Sequence, residues 1–398
     1  MRTRRFTRPA LALAVSLAIA GPALLSASAQ AQPLTLSELA SDRAIGQPEV
    51  VATFHGAMPT GVTVTQEGRI FVNFPRWGDD VPFTVAEVKG NQLTAYPNRE
   101  INQPDDAKPG ERFLSVQSVV ADGQGRLWVL DTAAPGFAEP VKGGAKLVAI
   151  DLKTNKVVKT IIFPAEVIRS TTYVNDVRFD FRVGEAGVAY ITDSSLSGTG
   201  GIIVVDLATG SAVRRLTGDR STSPEKGFVP VVEGETLLQR HADGSTAPFS
   251  VASDGIALSP DGKTLYYSPL SSRYLYAIST ALLRDPNVSE AQLSAAVQDL
   301  GEKGASDGLE ADASGAVYAG DYERNSIRKR EPGGEWRTIV HGPQILWPDT
   351  LSVGPDGYLY FTVNQLNRQP GFHAGKDLRQ KPYALLRVRI NAAPAPTR

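Results

Sequence analysis

The segment IALSPDGKTLYYS, residues 256–268, holds two alternating apolar runs joined across Pro260-Asp261-Gly262. Successive side chains of a strand face opposite sides, and the glycine of an Asp-Gly pair supplies the positive φ that a tight turn needs, so the segment reads as an antiparallel hairpin. Five further segments repeat this layout: VTVTQEGRIFVN (62–73), VVADGQGRLWVLD (119–131), VRFDFRVGEAGVAYITD (177–193), LEADASGAVYAGD (309–321) and LSVGPDGYLYFTV (351–363). Their second strands open at Gly68, Gly125, Gly187, Gly262, Gly315 and Gly357. Repeats of roughly 60 residues leave room for four strands and their loops, the content of a propeller blade.

Outer strands are expected at 86–96, 146–163, 201–216, 273–279 and 325–340, and YALLRVRI (383–390) and EVVATF (49–54) remain at the two ends. Pairing these ends completes one blade and removes the open edges of the ring. The fold class is therefore all-β, a six-bladed β-propeller closed by pairing of N- and C-terminal strands, with residues 32–398 as one domain. A short helical insert is expected near 286–301, because Ser289 and Gln292 stand at capping-box spacing and Gly301 offers a stop.

The chain of 398 residues has no cysteine, which excludes disulfide scaffolds, thiol enzymes and cysteine-ligated metal centres. No Gly-x-Ser-x-Gly elbow, phosphate loop or zinc-protease signature occurs. Arg2, Arg4, Arg5 and Arg8 precede an apolar run at 10–25 and small residues at Ala27, Ser28, Ala29 and Ala31, so residues 1–31 read as a cleavable signal peptide. Its loss takes the formal net charge from -1 to -5, and the expected product is a secreted or periplasmic monomer. Neither a nucleic-acid partner nor stable membrane insertion is expected, since the basic face and the long apolar span they need are both missing.

Counting eight residues back from five of the second-strand glycines reaches Thr60, Gln117, Asp254, Asp307 and Asp349. In the third repeat, read as three residues longer, the count reaches Asp176. One shared register at the start of the innermost strands places these six residues around one mouth of the axial channel. Four consecutive blades then carry a carboxylate, and Asp131, Asp193 and Asp321 are expected to add acidity at the same face. Converging carboxylates raise one another's pKa, so a cation is expected there; oxygen ligands without cysteine or clustered histidine suit Ca²⁺ or Mg²⁺. Trp77 and Trp347, in loops, are candidates to roof the pocket or to pack its rim. His55, His241, His341 and His373 show no ligand spacing and read as structural or surface residues.

The stretches VNFPRWGDDVPFT (72–84), LWVLDTAAPG (127–136), NDVRFD (175–180), AYITDSS (189–195) and DGIALSPDGKTLYYSPLSSRYLYAIST (254–280) resemble the yellow and major royal jelly protein family. The resemblance implies a six-bladed propeller with a ligand-holding central channel. Insect members include dopachrome-converting enzymes, amine-binding salivary proteins and nutrient or structural proteins, and bacterial members often carry a dopachrome tautomerase-related label. A more distant similarity links Asn175-Asp176, Ser253-Asp254-Gly255 and Ser306-Asp307-Gly308 to gluconolactonase and regucalcin propellers. That similarity implies Asn175, Asp254 and Asp307 as divalent-metal ligands, with Thr60 standing where those enzymes have glutamate.

Three functions are expected from these readings. The first is binding of a small polar amine, catechol or quinone-like molecule, extended to tautomerase-like proton transfer with Asp254 and Asp307 as catalytic groups and Thr60, Gln117, Asn175, Asp176 and Asp349 as binding groups. The second is metal-dependent hydrolysis of a sugar lactone. The third is a non-catalytic extracellular binding or structural role.

Overall fold

Six four-stranded antiparallel sheets radiate from a common axis, and five of them run in sequence order from an inner strand to an outer one. The computed structural model describes residues 41–196 and 199–398 together with Thr35 and Leu39, so the expected signal peptide lies outside the described residues. Blade 1 contains Val62–Val64, Ile70–Asn73, Val85–Lys89 and Gln92–Ala95. Blade 2 contains Val116–Ala121, Arg126–Asp131, Lys146–Asp151 and Lys156–Ile162. Blade 3 contains Val174–Asp180, Val188–Asp193, Gly201–Asp206 and Ala212–Arg215. Blade 4 contains Ser253–Leu258, Thr264–Pro269, Tyr274–Ser279 and Gln298–Glu302, and blade 5 contains Ser306–Ala311, Val317–Asp321, Ser326–Arg330 and Trp336–His341.

Blade 6 is built from both ends of the chain. Pro348–Val353, Tyr358–Val363 and Tyr383–Arg389 supply three strands, and Glu49–Phe54 pairs with the third, Phe54 opposite Tyr383 and Glu49 opposite Arg387. Opening this closure means breaking a strand ladder and exposing Phe54, Tyr383 and Leu385, which are all but inaccessible. The apolar core divides along the blade interfaces: Trp128 of blade 2 stacks on Phe179 of blade 3 at 5.0 Å, and Ile256 and Leu265 of blade 4 cluster with Tyr190 and Ile202 of blade 3. Each such buried side chain contributes about 1.5–3 kcal/mol, so the ring is held by packing between sheets as well as by its closing strand.

The insert between the third and fourth strands of blade 4 differs from expectation in its second half. Glu290–Ala296 is a helix with Ser289 and Gln292 as a reciprocal capping box, after a shorter helix at Thr280–Arg284. The helix stops at Ala296, and residues 298–302 are instead the outer strand of the blade. Gly301 lies inside that strand at φ +81°, so it bends a strand and does not end a helix. Pairing with Tyr274–Ser279 competes with helix continuation and wins, because it supplies the blade's fourth strand.

Candidate functional site: the upper mouth of the channel

Every inner strand from blade 2 to blade 6 begins with the same irregularity. Ser253 faces Pro269 and Ile256 faces Tyr267; Ser306 faces Asp321 and Leu309 faces Ala319; Pro348 faces Val363 and Leu351 faces Phe361. Val116 and Val174 open their strands with the same slip. Each inner strand thus carries one residue more than its partner across the slip, and the first residue after the opening pair turns toward the axis. The residues so placed are Gln117, Asn175, Asp254, Asp307 and Asp349.

This register corrects the expectation for blade 3. Asn175, not Asp176, is the counterpart of Asp254, because Val174 and Ser253 open their strands alike and the ring position lies twelve residues, not eleven, before Gly187. Three consecutive blades carry a ring carboxylate, not four. Asp176 takes the next position, where blades 4 and 5 have glycine, and it faces the lower half of the channel. There its carboxylate accepts hydrogen bonds from Ser118 at 2.8 Å and from the Arg178 guanidinium at 3.0 Å.

The glycines at this second position have a geometric reason. A Cβ on Gly255 would lie 2.4 Å from the carbonyl oxygen of Asp307, and one on Gly308 would lie 2.3 Å from that of Asp349. Small residues here let neighbouring inner strands approach backbone to backbone, which draws the three carboxylates together.

Thr60 also departs from its expected role. It is fully buried, does not line the pocket, and accepts a hydrogen bond from Asn73 Nδ2 at 2.9 Å. The same amide group reaches the carbonyls of Val116 and Gln117, so Asn73 fastens blade 1 to blade 2. Asp131, Asp193 and Asp321 add no acidity to the mouth. Asp131 accepts from Leu114 N, Ser115 N and the buried Lys146 ammonium; Asp193 accepts from Tyr173 N and pairs with Arg214 at 2.7 Å; Asp321 pairs with Arg324 at 3.0 Å.

The pocket at the upper mouth has a volume of about 510 Å³, within the range of small-molecule sites. Its floor consists of Gln117, Asn175, Ser194, Asp254, Asp307 and Asp349. One wall is aromatic: Trp77 stacks on Phe137 at 4.7 Å, Phe137 contacts Tyr173 at 5.1 Å, and the Trp77 indole N–H donates to the Tyr173 hydroxyl, which donates to Gln117. Phe249 and Phe372, 5.1 Å apart and edge to face, form the opposite wall. Arg240 and His241, on the exposed hairpin of Leu238–Arg240 and Thr246–Pro248, overhang the entrance.

Electrostatically the floor is unusual. Among the described residues no Lys or Arg forms an ion pair with Asp254, Asp307 or Asp349. Burial, then the neighbouring Asp307, pushes Asp254 well above the ordinary carboxylate range; Asp349 is raised for the same two reasons. Burial raises Asp307 to about 6, while hydrogen bonds from the Trp347 indole and from Asp254 hold it lower than its neighbours. Asp254 thus holds a proton more tightly than Asp307, so within the pair Asp254 is the better placed to act as acid and Asp307 as base.

A resident divalent cation does not fit this arrangement. Asn175 turns its amide N–H toward Asp254 at 2.7 Å, Ser194 donates to the other Asp254 oxygen at 2.8 Å, Trp347 donates to Asp307 at 2.7 Å and Asn364 donates to Asp349 at 2.6 Å. Each of these hydrogens takes up lone-pair capacity that a metal would need, and the amide of Asn175 offers it a hydrogen where a metal needs an oxygen. Among the described residues no three His, Asp or Glu side chains converge as a metal site requires.

Sequence reading missed Ser194, Asn364 and Tyr173. Ser194 and Asn364 directly follow the second strands of blades 3 and 6, a position that returns to the mouth in every repeat. Trp77 lines the pocket, whereas Trp347 lies buried behind it and acts through its indole N–H.

Fold and site together define a six-bladed β-propeller with an acid-floored, aromatic-walled pocket in its axial channel. The chain belongs to the major royal jelly protein family, whose description matches residues 114–396. It is 27% identical over 253 residues to protein yellow of Drosophila erecta, covering 59% of this chain and 43% of that one. It is 28% identical over 222 residues to major royal jelly protein 7 of Apis mellifera, covering 53% and 46%. The matched region thus spans less than half the length of these relatives. Among solved structures, a putative gluconolactonase superposes with TM-score 0.53 at 13% identity, over 88% of this chain and 93% of that one. The calcium-binding protein regucalcin from Agrobacterium tumefaciens gives TM-score 0.51 at 13% identity, over 88% and 100%. At such identities the likeness concerns the fold alone.

Proposed function

We propose that this propeller is an exported protein that binds, in its upper pocket, a small molecule with a protonated amine on an aromatic body. The observation that carries this reading is the placement, beneath facing aromatic walls, of three buried carboxylates that form no ion pair with Lys or Arg among the described residues. A cationic head seated on Asp254, Asp307 and Asp349 lowers their pKa values and drives protons off, while its ring packs between Trp77 and Phe249. Calorimetric titration of a panel of aromatic amines, in two buffers of different ionisation enthalpy, tests it. The expected result is binding with net proton release at pH 6, weakened at least tenfold in Asp307→Asn. Heatless titrations across the panel at high protein concentration would overturn it.

A second reading, tautomerase-like proton transfer, is supported by the unequal rise of the neighbouring Asp254 and Asp307. Asp307 would take a proton beside a carbonyl, and Asp254 would return one at the carbonyl oxygen or at a conjugated carbon. Dopachrome decay faster than buffer, lost in Asp254→Asn, is the expected result, and decay at the buffer rate removes this substrate. Lactone hydrolysis is less supported, since Thr60 supplies no charge and the floor donors oppose a metal.

A further inference from the structure

The channel has a second end, and the chain's own C-terminal segment lies across it. Below the ring, a chamber of about 240 Å³ is lined by the far ends of the inner strands, among them Thr63, Val120, Arg178, Glu310 and Ser352, and by residues 394–398. The segment touches three blades. Ala393 accepts a hydrogen bond from Ala313 N at 2.9 Å, and Pro394 bridges to Asp312, both in the blade 5 turn. Thr397 accepts from Phe181 N in blade 3 at 2.8 Å and donates through its hydroxyl to Asp122 O in blade 2 at 2.7 Å. Arg182 donates to the carbonyl of Pro396. The sequence NAAPAPTR suits such a path, because prolines favour an extended backbone and carry no N–H that would be left unpaired over a cavity.

Above the chamber, Arg178 spans the axis. Its guanidinium grips Asp176 on its own blade and reaches Leu309 O at 2.7 Å and Glu310 at 3.6 Å on blade 5, while its Nε, buried, has no protein partner and adjoins the chamber. We propose that residues 393–397 are a strap that closes the lower end of the channel, so that the pocket is blind and exchanges its contents only through the aromatic mouth. The inference is independent of the ligand assigned to that pocket. Backbone hydrogen bonds to hairpin turns hold the strap, which makes it removable without dismantling a blade.

The absence of cysteine from the chain permits a direct test. A single thiol is introduced as Ser352→Cys in the lower chamber, and its rate of modification by a small water-soluble maleimide is compared in the full chain and in a chain ending at Asn391. Ala189→Cys, buried between blades 2 and 3, reports loosening of the whole fold. Shortening the chain is expected to speed modification at Ser352→Cys by about tenfold or more while Ala189→Cys stays protected, the pattern of a local opening. Thr397→Val in the full-length chain is expected to give a smaller rise at the same site. Equal rates in full and shortened chains overturn the strap. A parallel rise at both thiols also overturns it, since the segment would then be a fold staple and not a channel closure.

Discussion

Trp347 donates its indole N–H to Asp307 at 2.7 Å from a position with no solvent exposure, stacked on Tyr322 at 4.1 Å. A buried indole aimed at a buried carboxylate favours the ionised form of that one aspartate among three. With the hydrogen bond from Asp254 it favours Asp307 as the base of the floor, since Asp254 and Asp349 are raised further. Part of the inequality between chemically identical side chains arises from the loop Gly342–Trp347, which no strand pattern would have singled out.

Trp347→Phe keeps the stacking ring and removes the donor. Loss of a hydrogen bond to a charged group is expected to cost about 1.5–3 kcal/mol and to raise Asp307 further. Urea unfolding gives the first quantity, and ¹³C titration of the aspartate carboxyls gives the second. An unchanged Asp307 titration would show that the indole does not set its proton affinity.

Asp307→Asn separates burial cost from hydrogen bonding through pH. The folded-state pKa of Asp307 is raised, from an ordinary value near 4, to about 6. Between these values the folded chain holds more protons than the unfolded chain, so this group's contribution falls as pH rises and the destabilisation is complete above the raised value. The asparagine variant escapes it. It is expected to be more stable than wild type by about 1–3 kcal/mol at pH 8 and to lose that advantage by pH 4, as read from thermal unfolding across the range. A difference independent of pH would place Asp307 outside the buried coupled set.

Calcium and magnesium should leave the protein unchanged. A site with micromolar affinity, saturated a hundredfold, would add about 2.7 kcal/mol to stability. Because Asn175, Ser194, Trp347 and Asn364 aim hydrogens at the carboxylate oxygens, the expected shift in melting temperature on adding either ion to chelator-treated protein is none. A clear rise would mean that these amides and hydroxyls turn over to present oxygen, and would restore the metal-dependent reading.

The hairpins could be read from sequence because alternation and an Asp-Gly or Glu-Gly turn are local properties. Closure followed from them, since Glu49–Phe54 and Tyr383–Arg389 had no other partners. The ring position was equally visible wherever the turn had constant length. It slipped by one at Asn175-Asp176, where the long FRVGEAG turn hid the count and two polar residues competed for the inward place. Partners were not visible at all. Asp131, Asp193 and Asp254 look alike along the chain, yet Lys146 and Arg214 on third and fourth strands pair with the first two, and among the described residues no Lys or Arg forms an ion pair with the third. Which carboxylate becomes chemical is thus a long-range property, fixed by what the next strands carry.

The glycines beneath the ring join the two levels and can be tested directly. At Gly308 an added methyl would meet the carbonyl oxygen of Asp349 at 2.3 Å, and backbone cannot turn aside as a flexible side chain can. Gly308→Ala must therefore push blade 5 from blade 6, at a cost of roughly 1–3 kcal/mol typical of overpacking. The same displacement moves Asp307 from Asp349 and admits water to the floor, so the carboxylates should titrate closer to ordinary values. Gly333→Ala, in an open turn with nothing near its added methyl, serves as the control and should change neither quantity. If Gly308→Ala lowered stability but left the carboxyl titrations in place, close approach of the inner strands would be a requirement of packing alone, and the raised proton affinity of the floor would have to come from burial within each blade.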